Sequence, residues 1–158
     1  ITPLKLKLRK PDLKFLVAIP DVKIHQRKTG FMRSVLPKEV PLSLMIKNSS
    51  RLATLINGLI NGDYELIGKG FVDYVVTPVR SRYIPCYQHV RSEALKAGAF
   101  GITISGAGPS VIAMAPSSKA RDVALSIKRA YRECGIDAEV RYTRIATGVS
   151  CIKKEYEV

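Results

Sequence analysis

FGITISGAGPSVIAMAP, from Phe100 to Pro116, carries two strand patterns separated by a loop that neither strand can absorb. Phe100, Ile102 and Ile104 alternate with Gly101, Thr103 and Ser105, the period of a strand with one apolar face. Val111 to Ala115 is apolar at every position, as a central strand can be. Between them stand Ser105, Gly106, Ala107, Gly108, Pro109 and Ser110. Glycine reaches backbone angles closed to other residues and lets a neighbour approach the main chain, while proline fixes its own φ and removes a donor. The segment is either a plain hairpin connection or a loop that holds something.

Working towards the C-terminus, Ser117 or Ser118 is placed to cap a helix. In it Ala120, Val123, Ala124, Ile127, Ala130, Tyr131 and Cys134 recur at spacings of three and four, with Lys128, Arg129 and Arg132 near its negative end and Gly135 after it. Ala138, Val140 and Tyr142 then alternate with Glu139, Arg141 and Thr143, predicting a last strand with one wet face.

Working towards the N-terminus, a helix is expected from about Pro85 to Lys96, ended by Gly98, and another from its cap at Asp63 to about Asp73. Near Pro41 a longer helix begins. Its apolar residues Leu42, Met45, Ile46, Ala53, Leu55, Ile56, Leu59 and Ile60 cover more than one face before Gly62, predicting a largely buried helix. Ile24 to Pro37 has no clean period and reads as a loop or short helix, whereas Lys14 to Ile19, stopped by Pro20, reads as a strand. Leu4, Leu6 and Leu8, alternating with lysines, predict one more strand.

The order is strand, two or three helices, a strand pair, helix, strand. It predicts an α+β domain on the ferredoxin-like (split βαβ) plan, an antiparallel sheet with helices on one face. With 158 residues, 46% hydrophobic and 25% charged, residues 1–158 are expected to form a single domain. No apolar run is long enough to span a bilayer, and ITPLKLKLRK is no signal-peptide core, so no membrane partner and a cytoplasmic location are expected. The start at Ile1, inside an alternating segment, suggests a longer polypeptide. Cys86, Cys134 and Cys151 are odd in number and lack CxxC spacing, and His25 and His89 lie far apart. Neither a disulfide framework nor a metal site is expected, and the cysteines read as small packing residues.

Function has to come from particular residues, because this plan serves many activities. A formal net charge of +13 favours an anionic partner, whether nucleic acid, nucleotide or small carboxylate, or an acidic neighbour in a larger assembly. The strands ITIS and VIAMA carry no aromatics for base stacking, which argues against nucleic acid. What remains is the glycine loop with Thr29, Arg33, Arg80 and Arg82. A guanidinium fork matches a carboxylate or phosphate in two parallel hydrogen bonds, so arginines converging from distant segments can fix an amino-acid carboxylate.

Three segments carry a family resemblance. GITISGAGPS, Gly101 to Ser110, resembles the third conserved motif of the GHMP small-molecule kinases, in the SGSGP form of the homoserine kinases, with Ala107 for the second serine. DYVVTPVR, Asp73 to Arg80, followed by Tyr83-Ile84-Pro85, is similar to the segment that supplies a substrate arginine in those enzymes. TGFMR, Thr29 to Arg33, ahead of Leu36-Pro37, is similar to their T-x-x-x-R segment, with Gly30 and Met32 departing from the expected pattern.

The resemblance implies the C-terminal domain of a kinase that transfers the γ-phosphoryl group of ATP, with Mg2+, to the hydroxyl of L-homoserine in threonine biosynthesis. It implies that Arg80 and Arg33 bind the substrate carboxylate and that Thr29 assists. Ser105, Gly106, Ala107, Gly108 and Pro109 would pack under the phosphate loop. It supplies no catalytic residue here, since phosphoryl transfer rests mainly on positioning and electrostatics. The family's PxxxGLGSSA loop is not among these residues. ATP and Mg2+ are therefore expected mainly on an N-terminal half that is the natural partner of this one, in an enzyme expected to be a homodimer, and the fragment alone is expected to be inactive. Two other readings stand beside it: a GHMP kinase for a different alcohol, and a non-catalytic basic module binding RNA or an amino-acid effector. Asp73, Arg82 and His89 read as structural or surface residues.

Overall fold

β1 (Leu13–Pro20), β2 (Gly101–Ile104), β3 (Val111–Pro116) and β4 (Ala138–Thr143) form one antiparallel sheet in the spatial order β2-β3-β1-β4, the ferredoxin-like order. The computed structural model describes residues 6–9, 12–23 and 28–146. β3 is central, as its unbroken apolar run requires. Leu16 opposes Ala113 across the β1–β3 pair, and Ile102 opposes Ala113 across β2–β3. Among the described residues β4 pairs only with β1, Val17 facing Arg141, and it has no fully buried residue.

Among the described residues, six helices accompany the sheet: α1 (Lys28–Ser34), α2 (Leu42–Asn61), α3 (Tyr64–Gly70), α4 (Thr77–Arg80), α5 (Tyr87–Lys96) and α6 (Ala120–Glu133), with a 3-10 turn at Ser81–Tyr83. Successive strand side chains point to opposite faces, so each face meets its own layer. Leu16, Ala18, Ile102, Val111, Ala113 and Ala115 pack with Val90 and Ala94 of α5 and with Val123, Ile127, Ala130 and Tyr131 of α6, forming the main core. The expectation of helices on one face describes this layer. A second, smaller cluster joins Leu13, Met114 and Ile67 with Phe15, Leu55, Leu59, Phe71 and Phe100, and sets the α2–α3 hairpin against the other side.

Several expectations need correction. α2 is not largely buried: Leu42 is 72% exposed, Met45 59% and Ile46 60%, and only Gly58 is buried. The residues that made it look all-apolar divide between two faces. Leu55 and Leu59 turn inward, while Leu42, Met45, Ile46 and Leu52 form an uncovered stripe. Neither Ser117 nor Ser118 caps α6. Its first flanking residue is Lys119, without a side-chain cap bond, and the Ser117 hydroxyl is bound instead to the Asp12 carboxylate ahead of β1. No strand forms at Leu6 and Leu8. That segment is tied to the end of α2 by the Arg9 N–H to the Ile60 carbonyl, and Leu4 lies outside the described residues, as do His25 and Cys151. Cys86 and Cys134 are not two free packing residues but a disulfide, with Cα atoms 6.3 Å apart, joining the start of α5 to the end of α6. The pairing spans 48 residues, and only the antiparallel packing of those helices brings the two together.

The α2–α3 hairpin depends on the absence of a side chain at Gly70. A Cβ there would lie 2.3 Å from the Leu55 backbone nitrogen. Backbone cannot retreat as a flexible side chain can. Gly70→Ala is expected to cost about 1–3 kcal/mol, a fall in Tm of roughly 3–10 °C in thermal unfolding followed by circular dichroism. An unchanged Tm would contradict the close approach.

Candidate functional site

The glycine loop closes the β2–β3 hairpin with two main-chain bonds, Ser105 N–H to the Ser110 carbonyl at 2.8 Å and Gly108 N–H to the Ser105 carbonyl at 3.0 Å. Gly106 has φ +60° and Gly108 φ +75°, which β-carbon-bearing residues avoid, and the Gly108–Pro109 peptide is cis. The two glycines differ in surroundings. A Cβ on Gly108 would meet the Ile84 side chain at 2.6 Å, whereas one on Gly106 would meet nothing within 4 Å. The loop is seated on Ile84 at one side and open at the other. Ala107 packs against the main core and Pro109 is buried, which leaves Gly106 as the exposed residue of the loop.

Arg80, the last residue of α4, reaches this loop. Its Nε donates to the Met32 carbonyl at 2.8 Å and its Nη1 to the Gly106 carbonyl at 3.1 Å. One half-buried guanidinium thereby joins α1, α4 and the loop. Phe31 meets Tyr83 edge-on, with ring centroids 5.1 Å apart, and Met32 is buried, so α1 is docked here by apolar contact as well. Arg80 forms no ion pair among the described residues, and its Nη2 has no hydrogen-bond partner among them. A charged donor edge is left for an anion. Thr29 and Arg33 lie on α1 and are exposed, and their side chains make no hydrogen bond among the described residues. The carbonyl that Arg80 holds belongs to the residue next to Arg33. Arg82 and His89 are exposed, and His89 contacts Glu133 at 2.6 Å, away from the loop.

Asp73, expected to be a structural or surface residue, is structural: its carboxylate sets α4. Asp73 Oδ1 accepts the N–H of Val75 at 2.9 Å and of Val76 at 3.1 Å, and Oδ2 accepts those of Val76 and Thr77. The Tyr74 N–H is taken by Asn48 Oδ1 of α2 at 2.9 Å, so four successive amides of this turn are held by side chains. The Thr77 hydroxyl lies 3.0 Å from that of Thr103 on β2. Asx-turn chemistry is the signal that marks such an aspartate, although the sequence does not show which amides it will capture.

Partial burial pushes the Asp73 carboxyl up, but the bonds from the amides of Val75, Thr77 and Val76 and from the Thr77 hydroxyl outweigh it, holding the group below its ordinary 3.8. A carboxyl lowered by folding stabilises the native state above its unfolded value and loses that contribution as pH falls through the lowered value. Asp73→Asn is therefore expected to reduce stability at neutral pH and to flatten the decline in stability below about pH 4. Parallel acid-unfolding curves for the two proteins would contradict this.

Residues 55–133 match the family model of the GHMP kinase C-terminal domain. The chain belongs to that family. This GHMP kinase domain is 41% identical over 148 residues to the homoserine kinase of Pyrobaculum neutrophilum, a match covering 94% of this chain and 50% of that protein. It is 40% identical to the homoserine kinase of Pyrobaculum islandicum over the same share of each. The crystal structure of homoserine kinase from Cytophaga hutchinsonii superposes with a TM-score of 0.83 at 30% identity, over 90% of this chain and 44% of that one. The GHMP kinase domain thus spans about half the length of the curated relatives it matches. Its four-stranded antiparallel sheet with flanking helices agrees with the expected fold.

Proposed function

We propose that this domain is the substrate-carboxylate half of a homoserine kinase, which phosphorylates the side-chain hydroxyl of L-homoserine with ATP. The observation that carries the reading is the Arg80 guanidinium. It is oriented by two backbone carbonyls beside the glycine loop, and its positive charge is left without a carboxylate partner among the described residues. Homoserine kinase relatives at 41% and 40% identity support that substrate over another alcohol.

In this reading the carboxylate of L-homoserine takes the free Nη edge of Arg80, with Arg33 supplying a second cation from α1 and Thr29 a hydroxyl. Holding the substrate by its carboxylate fixes where its hydroxyl lies relative to the γ-phosphoryl group, and such positioning supplies a large share of the rate in phosphoryl transfer. Ser105, Gly106, Ala107, Gly108 and Pro109 support the phosphate-binding loop of the other half from below. The open space over Gly106 suits a close backbone approach.

No group of three or more His, Cys, Asp or Glu among the described residues is placed to hold a metal ion. ATP and Mg2+ belong to an N-terminal half, and the exposed apolar stripe of α2 is available for burial against that half or a second copy in a cytoplasmic homodimer. No helix among the described residues is long and apolar enough to cross a membrane.

Truncating Arg80 tests the reading. In the full-length enzyme Arg80→Leu is expected to raise the KM for L-homoserine by at least about 30-fold, the equivalent of losing a charge-assisted contact worth roughly 2 kcal/mol or more, with the KM for ATP little changed. Equal rises for both substrates would assign Arg80 to folding or nucleotide binding instead.

A further inference from the structure

The geometry points to Asp73 as the positioning residue that sets the substrate arginine, acting through the single turn of α4. This inference rests on the proposed role of Arg80 and deepens it. α4 has four residues, Thr77–Arg80, too few to hold a helical turn without outside support, since the first turn fixes several dihedrals for one hydrogen bond. Its flanking residue Val76 has no side chain able to cap it. The Asp73 carboxylate does that work from three residues further back, binding the amides of Val75, Val76 and Thr77 with both oxygens.

From there the connection to Arg80 is short and specific. The Arg80 N–H closes the turn on the Val76 carbonyl at 3.0 Å, and the guanidinium then reaches Met32 and Gly106. Thr77, whose amide Asp73 holds, is also pinned to β2 through Thr103, which fixes α4 against the strand that leads into the glycine loop. Asp73 therefore determines where the free edge of Arg80 stands relative to that loop. Its oxygens are filled by backbone donors, so it is not placed to accept a substrate proton, and it is a positioning residue rather than a catalytic one.

The test is a mutant cycle in the full-length enzyme with L-homoserine and ATP as the varied substrates. Asp73→Ala should raise the KM for L-homoserine about 10-fold or more while the KM for ATP stays within about 2-fold. Asp73→Asn, which keeps one acceptor oxygen, should fall between it and the wild type. The double variant Asp73→Ala/Arg80→Leu should show no higher KM for L-homoserine than Arg80→Leu alone, because both changes remove one interaction. Multiplying effects in the double variant, or equal rises for both substrates, would overturn the inference while leaving the role of Arg80 intact. An Arg80→Leu enzyme with an unchanged KM for L-homoserine would instead overturn the carboxylate reading, and this inference with it. Should Asp73→Ala fail to fold, the same comparison is made with Asp73→Asn, for which a KM for L-homoserine equal to that of the wild type is the contradicting result.

Discussion

One guanidinium holds together three pieces of chain that are far apart in sequence. Arg80 donates to the Met32 carbonyl, 48 residues earlier, and to the Gly106 carbonyl, 26 residues later. Without that tie the short α1 would rest on its apolar contacts, and the glycine loop on its hairpin bonds and its packing against Ile84 and the main core. Each of the surrounding devices serves the position of this group: the Asp73 carboxylate beneath α4, the Thr77–Thr103 contact to β2, and the Phe31–Tyr83 edge contact.

The choice of partners matters electrostatically. Had Arg80 been fixed by a carboxylate, its charge would have been compensated. Fixed by two carbonyls, it keeps a net positive charge in a half-buried place, where the lower effective dielectric makes the attraction for an anion stronger than at an exposed surface. Asp73 is close in sequence, but its charge is spent on backbone amides. The carboxylate organises the turn while the arginine remains available, a division that a direct Asp73–Arg80 pair would destroy. The overall excess of 26 basic over 13 acidic residues adds a long-range bias of the same sign.

The sheet was the most legible part of the sequence. The apolar run of Val111 to Ala115 is a direct consequence of two-faced burial, and β2 and β3 fall where the two patterns place them, although Phe100 packs in the second cluster and only Ile102 and Ile104 join the main core. The Asp63 cap of α3 was legible for the same local reason, and its carboxylate accepts the amides of Glu65 and Leu66. The environment of α2 was not, because hydrophobicity does not say whether an apolar face meets its own domain or stays uncovered. The disulfide was hidden because the partner of Cys86 is chosen by how α5 packs on α6. In the candidate site, Arg80 and the glycine loop were legible only through motif spacing. The role of Asp73 lay in a local turn whose captured amides depend on backbone angles that no spacing rule supplies.

The central claim is that Arg80, while held by Met32 and Gly106, presents its remaining edge to the substrate carboxylate. A crystal structure of the full-length enzyme with L-homoserine bound measures this directly. The account predicts a carboxylate oxygen about 3 Å from Arg80 Nη2, with the bond from Nε to the Met32 carbonyl retained. A carboxylate bound elsewhere, with Arg80 Nη2 facing only solvent, would contradict it.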